Sequence, residues 1–545
     1  MKTKLLLVLV FLAQLCYAQI EGTWYGEVDL QIKKLPVILK IKKTADGYTS
    51  LLNSPQQSKD DINVDRTSFI NNELNFEIKK INATYKGTFQ NDLFEGIFIQ
   101  NGKTIPLHFS RDPNSSKGKN ISYLKGKAIN AEKLNKFLDY IAQKNQGIGS
   151  VSIFRNGIQE YHKDFGQQQV KNITYDKNTQ YHIGSISKLF TSVLLMQLVE
   201  KGRLDLNEKL SKFYPEIANS KNITIRQMLN HTSGLGNYIS AGAEGWLIGK
   251  AVGDKAIITA IKDQGLHFQP GKGIKYSNSA YFLLSRILEK LYNGKPYHEI
   301  LKQNIIEKAD MKYTFSVMDN PQNIFKPYKF TNDNWEEIPD FDFRNCIGVG
   351  DIVSTTEDMN TFIDALFNGK FIKKETLDMM TSNKKELMFG TGIMKPPFYN
   401  IISYGHGGDT YGSHSMLSYE PTDKLAFAIT INGERFVHNN LYIGILNILY
   451  GQDYQFPQFE EDKKTSETDL YSGSYTSKEA PLDLKVFTKD GTLYAQGSGQ
   501  PEFPLTYTEK NKYKFDEAGI TIVFIPENSQ LKLMQGKNTY LFNKK

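Results

Sequence analysis

Between residues 19 and 112 apolar and polar positions alternate in short runs, such as Leu39-Lys40-Ile41-Lys42, Leu74-Asn75-Phe76-Glu77-Ile78 and Phe94-Glu95-Gly96-Ile97-Phe98-Ile99. A period of two places the apolar residues on one face of a strand. Turn signals at Ala45-Asp46-Gly47, Gln90-Asn91-Asp92 and Asn101-Gly102 break the runs into hairpins. The pattern predicts a small antiparallel sandwich or barrel whose aromatic residues form its core. It returns at 470–545 in Leu482-Asp483-Leu484-Lys485-Val486, Thr492-Leu493-Tyr494, Ile520 to Ile525 and Leu531-Lys532-Leu533.

Between these regions the period changes. Leu134, Phe137, Leu138 and Ile141 fall at helical spacing behind Asn130, a capping residue. Gly149 to Phe154 and Ile158 to Phe165 read as a hairpin across Arg155-Asn156-Gly157. From Leu189 to Val199 nearly every residue is hydrophobic, which predicts a helix buried on all sides. It stops at Lys201-Gly202. Further helices are expected at Ala280–Leu291 and Thr356–Phe367, a strand pair at Ser415–Tyr419 and Leu425–Ile431, and a last helix ending near Tyr450. Strands at both ends with helices between them make an α+β layered domain.

Polar stretches at 112–126 and Glu460–Glu467 read as linkers. They divide the chain into a small β domain at 19–112, a central domain at 127–452 and a second small β domain at 469–545. Residues 1–18 have the form of a signal peptide: Lys2 and Lys4, an apolar core from Leu5 to Ala13, and Cys16-Tyr17-Ala18 before Gln19. Cleavage there removes Cys16 and leaves Cys346 alone, a small buried hydrophobe with no disulfide partner. Export to a bacterial periplasm or medium follows, with no transmembrane span in the mature chain. The 66 Lys+Arg against 59 Asp+Glu are scattered, which argues against a nucleic-acid partner.

The candidate chemistry begins at Tyr181-His182-Ile183-Gly184-Ser185-Ile186-Ser187-Lys188. Residues three apart on a helix share a face, so Ser185 and Lys188 can touch at its head. Downstream stand Phe268-Gln269-Pro270-Gly271, Tyr276-Ser277-Asn278 and Tyr404-Gly405-His406-Gly407-Gly408-Asp409. Two lesser signatures accompany them, Thr224 to Leu235 and Gly348-Val349-Gly350-Asp351-Ile352-Val353-Ser354-Thr355. The ordered set, over roughly 127–450, resembles the serine β-lactamase and penicillin-binding-protein family. The branch is that of class C β-lactamases, D-amino-acid peptidases and related esterases. The resemblance implies a β-lactamase-like central domain, an antiparallel sheet flanked by helices plus a helical subdomain; the small all-β domains on either side lie outside it. Some family members also carry a lipocalin-like C-terminal domain.

The resemblance assigns Ser185 as the acylated nucleophile, Lys188 as its proton acceptor and Tyr276 as a proton shuttle. A serine hydroxyl needs such a neighbour, and lysine serves only where desolvation or nearby cations lower its pKa. Asn278 is expected to bond Lys188 or the substrate carbonyl. The N–H groups of Ser185 and Asp409 are expected to form the oxyanion hole, with Gly408 letting the substrate backbone approach. His406 stands where β-lactamases carry a lysine. A histidine with its ordinary pKa is mostly neutral at pH 7.5, so neutral substrates should be preferred and anionic ones should gain as pH falls. His231 reads as structural, and His414 as a candidate pocket-lining residue. His298-Glu299 lacks the second histidine of a zincin site. No cofactor or metal is expected. The reading is an exported serine hydrolase acting through a Ser185 acyl-enzyme on small molecules or short peptides: D-amino-acid peptides, small esters, and β-lactams at low rate. A true β-lactamase and a non-turnover penicillin or cell-wall sensor are the alternatives.

Overall fold

A computed structural model describes residues 20–545 apart from 30–33, 56, 59, 91, 101–102, 117–120, 172, 174, 240–249, 340–341, 383–387, 458, 460–467, 478, 481, 490–491, 499, 501, 516–517 and 537. The expected signal peptide, the stretch Glu460–Glu467 and part of the first linker lie outside the described residues.

Nine strands from Gly22–Asp29 to Lys103–Ser110 form one antiparallel sheet. Strand Lys34–Thr44 pairs with both Gly22–Asp29 and Gly47–Asn53, so the sheet closes on itself. The sequence left sandwich and barrel open, and this pairing makes a barrel. Trp24, Phe76, Tyr85, Phe94 and Phe109 fill it. The Trp24 indole N–H donates to the Ile20 carbonyl at 2.8 Å, which satisfies the one polar atom of that buried ring. A second set of nine antiparallel strands, Gly473–Thr476 to Asn538–Lys544, joins its first and last members and packs around Val486, Ile522, Phe524, Leu531 and Phe542.

Five strands of the seven-stranded central sheet run in the order Ile158–Phe165, Gly147–Arg155, Leu425–Glu434, His414–Glu420, Tyr404–Asp409, antiparallel to one another, and the hairpin Tyr328–Thr331 and Asn334–Glu337 joins Leu425–Glu434 through one parallel pairing. Alternate residues of Leu425–Glu434 serve opposite cores. Phe427, Ile429 and Ile431 meet Phe137, Ile141, Leu441 and Ile445 of the helices Ala131–Gln143 and His438–Leu449. Ala426 and Ala428 face the larger core around the helix Ser187–Glu200. There Phe190 stacks on Phe362 of the helix Thr356–Phe367 at 3.8 Å. The Asn130 side chain accepts from the Lys133 N–H at 2.9 Å, the expected cap. The helix expected at Ala280 starts two residues earlier, at Asn278, because the Ser277 hydroxyl caps it by accepting from the Ala280 N–H.

Aromatic packing on the first central helix continues past residue 452. Tyr454 and Phe456 lie 5.4 and 5.2 Å from Phe137, and Phe459 stacks on Tyr140 at 5.6 Å. These contacts lead us to propose that the central domain extends to Phe459. A chain spanning 127 to Phe459 should melt as one cooperative unit in scanning calorimetry. One ending at Tyr454 loses two half-buried aromatic rings, about 2 kcal/mol, and should melt several degrees lower.

Candidate active site

Ser185 sits in a 3-10 turn, Gly184–Ile186, that feeds directly into the helix Ser187–Glu200. Gly184 has φ +50°, and a Cβ there would lie 2.9–3.0 Å from the Asp409 backbone. Only glycine lets this turn lie against the strand Tyr404–Asp409. Every residue from Ser187 to Leu198 is buried, as the unbroken apolar run demanded.

That burial includes a lysine. Lys188 is 0% exposed, with Nζ 2.8 Å from the Ser185 hydroxyl oxygen and donating to the Val349 carbonyl at 2.9 Å. Both partners are neutral. Desolvation pushes its pKa down to about 7, although Cys346 and Asp409 pull the other way. The amine lies 5.0 Å from the Tyr276 ring centre. The Tyr276 hydroxyl is buried and meets no hydrogen-bond partner among the described residues. Burial drives its pKa far up, with Ser185 opposing. Its ring is held 4.4 Å from that of His231 and 6.2 Å from that of His406.

His231 is buried at φ +61°. Its Nδ1 accepts from the Ser277 N–H at 3.2 Å and its carbonyl from the Lys275 N–H at 3.0 Å, so it braces the tyrosine loop from both sides. Asn278, the first residue of its helix, does not bond Lys188. The Val349 carbonyl is the lysine's acceptor, and the other role expected of Asn278, toward the substrate carbonyl, stands as a proposal. Sequence reasoning missed that acceptor, because any residue type supplies a carbonyl. Its turn is held by Asp351, which accepts from the Gly348 N–H at 2.7 Å and the Ser316 hydroxyl at 2.6 Å. Burial raises the Asp351 pKa to about 6. Cys346 is buried and its thiol is pushed up to about 12, as a packed small hydrophobe should be.

His406 lies on the edge strand Tyr404–Asp409 and is only 3% exposed. Its Nδ1 bonds the Gly407 carbonyl, which can only accept, so Nδ1 carries the proton and Nε2 is left with a lone pair. Burial, with Lys188 adding to it, pushes the pKa down to about 4. This corrects the expectation of protonation near its ordinary pKa. The ring stays neutral through the working range of pH.

Gly405 exchanges both backbone hydrogen bonds with Met394, on the side away from the next strand. Alternation then turns the N–H groups of Gly407 and Asp409 to that same free side. Gly408 is required by close contact: a Cβ there would fall 2.0 Å from the Ile183 carbonyl. His414 turns away from the nucleophile and bonds Asp409 and Glu434 at 2.7 Å each. Burial would depress its pKa, but those two carboxylates outweigh it and raise the group to about 9. Ligand atoms of Asp409, His414 and His438 lie within 4.8 Å of one another, close enough to converge on a metal ion.

The family model described as Beta-lactamase matches residues 136–448. The chain is similar to a penicillin-binding protein of Bacillus subtilis, at 27% identity over 72% of this chain and 93% of the relative. It is also similar to the teichoic acid D-alanine hydrolase of Staphylococcus aureus, at 26% identity over 57% and 77% of the two chains. Among solved structures it resembles a D-amino acid amidase from Ochrobactrum anthropi SV3, with TM-score 0.53 and 22% identity over 58% of this chain and 99% of that one, a likeness of fold.

Gly408→Ala should destabilise the protein by about 1–3 kcal/mol, because its Cβ meets a backbone carbonyl that cannot step aside. Gly407→Ala should leave the melting temperature within error, since its Cβ meets nothing closer than 3.8 Å. Thermal unfolding of both variants checks the contrast.

Proposed function

This chain belongs to the beta-lactamase family and is a serine hydrolase, and we propose that it works through a Ser185 acyl-enzyme on neutral esters and amides, D-amino-acid peptides among them. The observation that carries the proposal is a fully buried amine, held near neutral pKa, 2.8 Å from a serine hydroxyl. Above about pH 7 Lys188 is a neutral amine and takes the Ser185 proton as Oγ attacks the carbonyl. The N–H groups of Ser185 and Asp409 receive the oxyanion. Tyr276, whose raised pKa keeps it a phenol, relays the proton to the leaving group and then orders the water that releases the acid.

The teichoic acid D-alanine hydrolase, by its name, acts on D-alanine, and the structure relative is a D-amino acid amidase. These names support a short acyl group bearing a D-centre. Export through residues 1–18 belongs to the same proposal. Among the described residues no helix is long and apolar enough to cross a membrane. The lipocalin likeness of the C-terminal domain is likewise proposed, on its nine-strand meander.

A fluorophosphonate should label Ser185 and leave Ser185→Ala unlabelled and inactive. A chromogenic ester should give a burst followed by steady turnover; a burst that stops would mark a sensor. The rate of acylation should fall about tenfold per pH unit below 7 and level off above it, because only the neutral amine accepts a proton. A flat profile between pH 5.5 and 8 would remove Lys188 as the base.

Since His406 stays neutral down to about pH 4, the preference for a neutral ester over a carboxylate-bearing cephalosporin should not change between pH 8 and 5.5. His406→Lys adds a charge-assisted contact of roughly 1.5–3 kcal/mol and should move the kcat/KM ratio about 10–150-fold toward the cephalosporin. A wild type that already prefers the cephalosporin would favour the β-lactamase reading.

A further inference from the structure

Beyond the acyl-transfer groups, four side chains from four chain segments meet at the end of the edge strand. Asp409 is its last residue, His414 opens the next strand, Glu434 ends the strand Leu425–Glu434, and His438 opens the helix His438–Leu449. His414 Nδ1 is 2.7 Å from an Asp409 carboxylate oxygen, and its Nε2 is 2.7 Å from Glu434. His438 Nδ1 lies 3.2 Å from both Glu434 oxygens, and the two imidazole rings stack at 3.9 Å. None of these side chains has a step in the acyl transfer.

We propose that Asp409, His414 and His438 bind a divalent first-row transition ion such as Zn2+, with Glu434 orienting His414 from behind. Two imidazoles and a carboxylate are the donor set that suits zinc and its neighbours rather than magnesium or calcium. The Glu434 carboxylate on the far nitrogen of His414 matches the arrangement that fixes a ligating histidine's tautomer and ring direction. Glu434 is itself anchored by the His438 backbone N–H at 2.9 Å. Around an ion with ligand bonds of about 2.0–2.2 Å, neighbouring ligand atoms sit roughly 3.3 Å apart. The Asp409–His414 pair must therefore open from 2.7 Å, with the proton between them released to solvent as the ion takes its place, and the third ligand must close from within 4.8 Å. The side chain of Asp409 is 73% exposed and those of His414 and His438 are 20% and 23% exposed. A ligating lone pair lies in the ring plane, so one imidazole must also turn out of the 3.9 Å stack before both can reach the same ion. The ion would tie the end of the edge strand to the neighbouring strand and to the helix, fixing Asp409, whose backbone packs against Gly184 beside the nucleophile. Its role is to hold the site's frame, apart from the bond-making steps.

The test is titration of the tag-free protein with ZnCl2 by isothermal calorimetry, with Co2+ absorption as a second probe. We expect one ion per chain with a Kd of micromolar order or tighter, and visible Co2+ bands of a low-coordinate site. His438→Gln and His414→Gln should each weaken binding at least tenfold, with far-UV circular dichroism reporting that the variants fold. If His414→Gln fails to fold, His438→Gln, at a solvent-facing helix start, carries the result. Ser185→Ala should bind as wild type does, so the outcome stands apart from the acyl-enzyme reading. No heat and no Co2+ bands at 100 µM ion, or binding unchanged in His438→Gln, would overturn the proposal.

Discussion

A lysine amine without water around it is the constraint on which the site depends. Taking an ammonium out of water costs several kcal/mol, and the protein avoids that cost by letting the group lose its proton. The exclusion of water comes from the packing of the helix Ser187–Glu200, buried from Ser187 to Leu198. The surrounding architecture sustains it: the sheet supplies small alanines at 426 and 428 on that face, and Phe190 and Phe362 close the layer above. A carboxylate next to Lys188 would restore its ordinary basicity. The structure instead offers a hydroxyl and a carbonyl, which orient the amine without re-charging it.

The same constraint reaches His406 and His231, which are buried beside Lys188 and held neutral partly by it. The pocket thus combines an amine, two imidazoles and a phenol with little net charge. Among the described residues the edge strand brings backbone polarity to it, through groups whose approach depends on Gly184, Gly405 and Gly408. Hydrogen bonding from an edge strand suits an extended amide backbone, and side-chain identity matters less there than backbone clearance.

Much of this was legible in the sequence. Period-two runs gave both β domains, and the all-round apolar run gave the central helix. The spacing Ser185–Lys188 and the ordered motifs marked the residues that the fold gathers. What stayed hidden was whatever depends on register or on backbone atoms. The Val349 carbonyl leaves no trace in residue identity. Phe456 and Phe459 fall beyond the expected 127–452 because their partners, Phe137 and Tyr140, are over three hundred positions away. His414 was visible as a histidine, yet its face was fixed only once the pairing Asp409–His414 was set. The His406 pKa could not be read at all, since burial and a neighbouring amine belong to the fold.

The Val349 carbonyl has a consequence for inheritance. A side-chain acceptor for the lysine could be deleted by one codon change, whereas a main-chain carbonyl survives every substitution at its own position. Only a change that re-routes the turn, at Gly348 with its φ of +74° or at Asp351, can move it. Substitution of the buried side chain at position 349 can therefore disturb the core packing while the amine keeps its anchor.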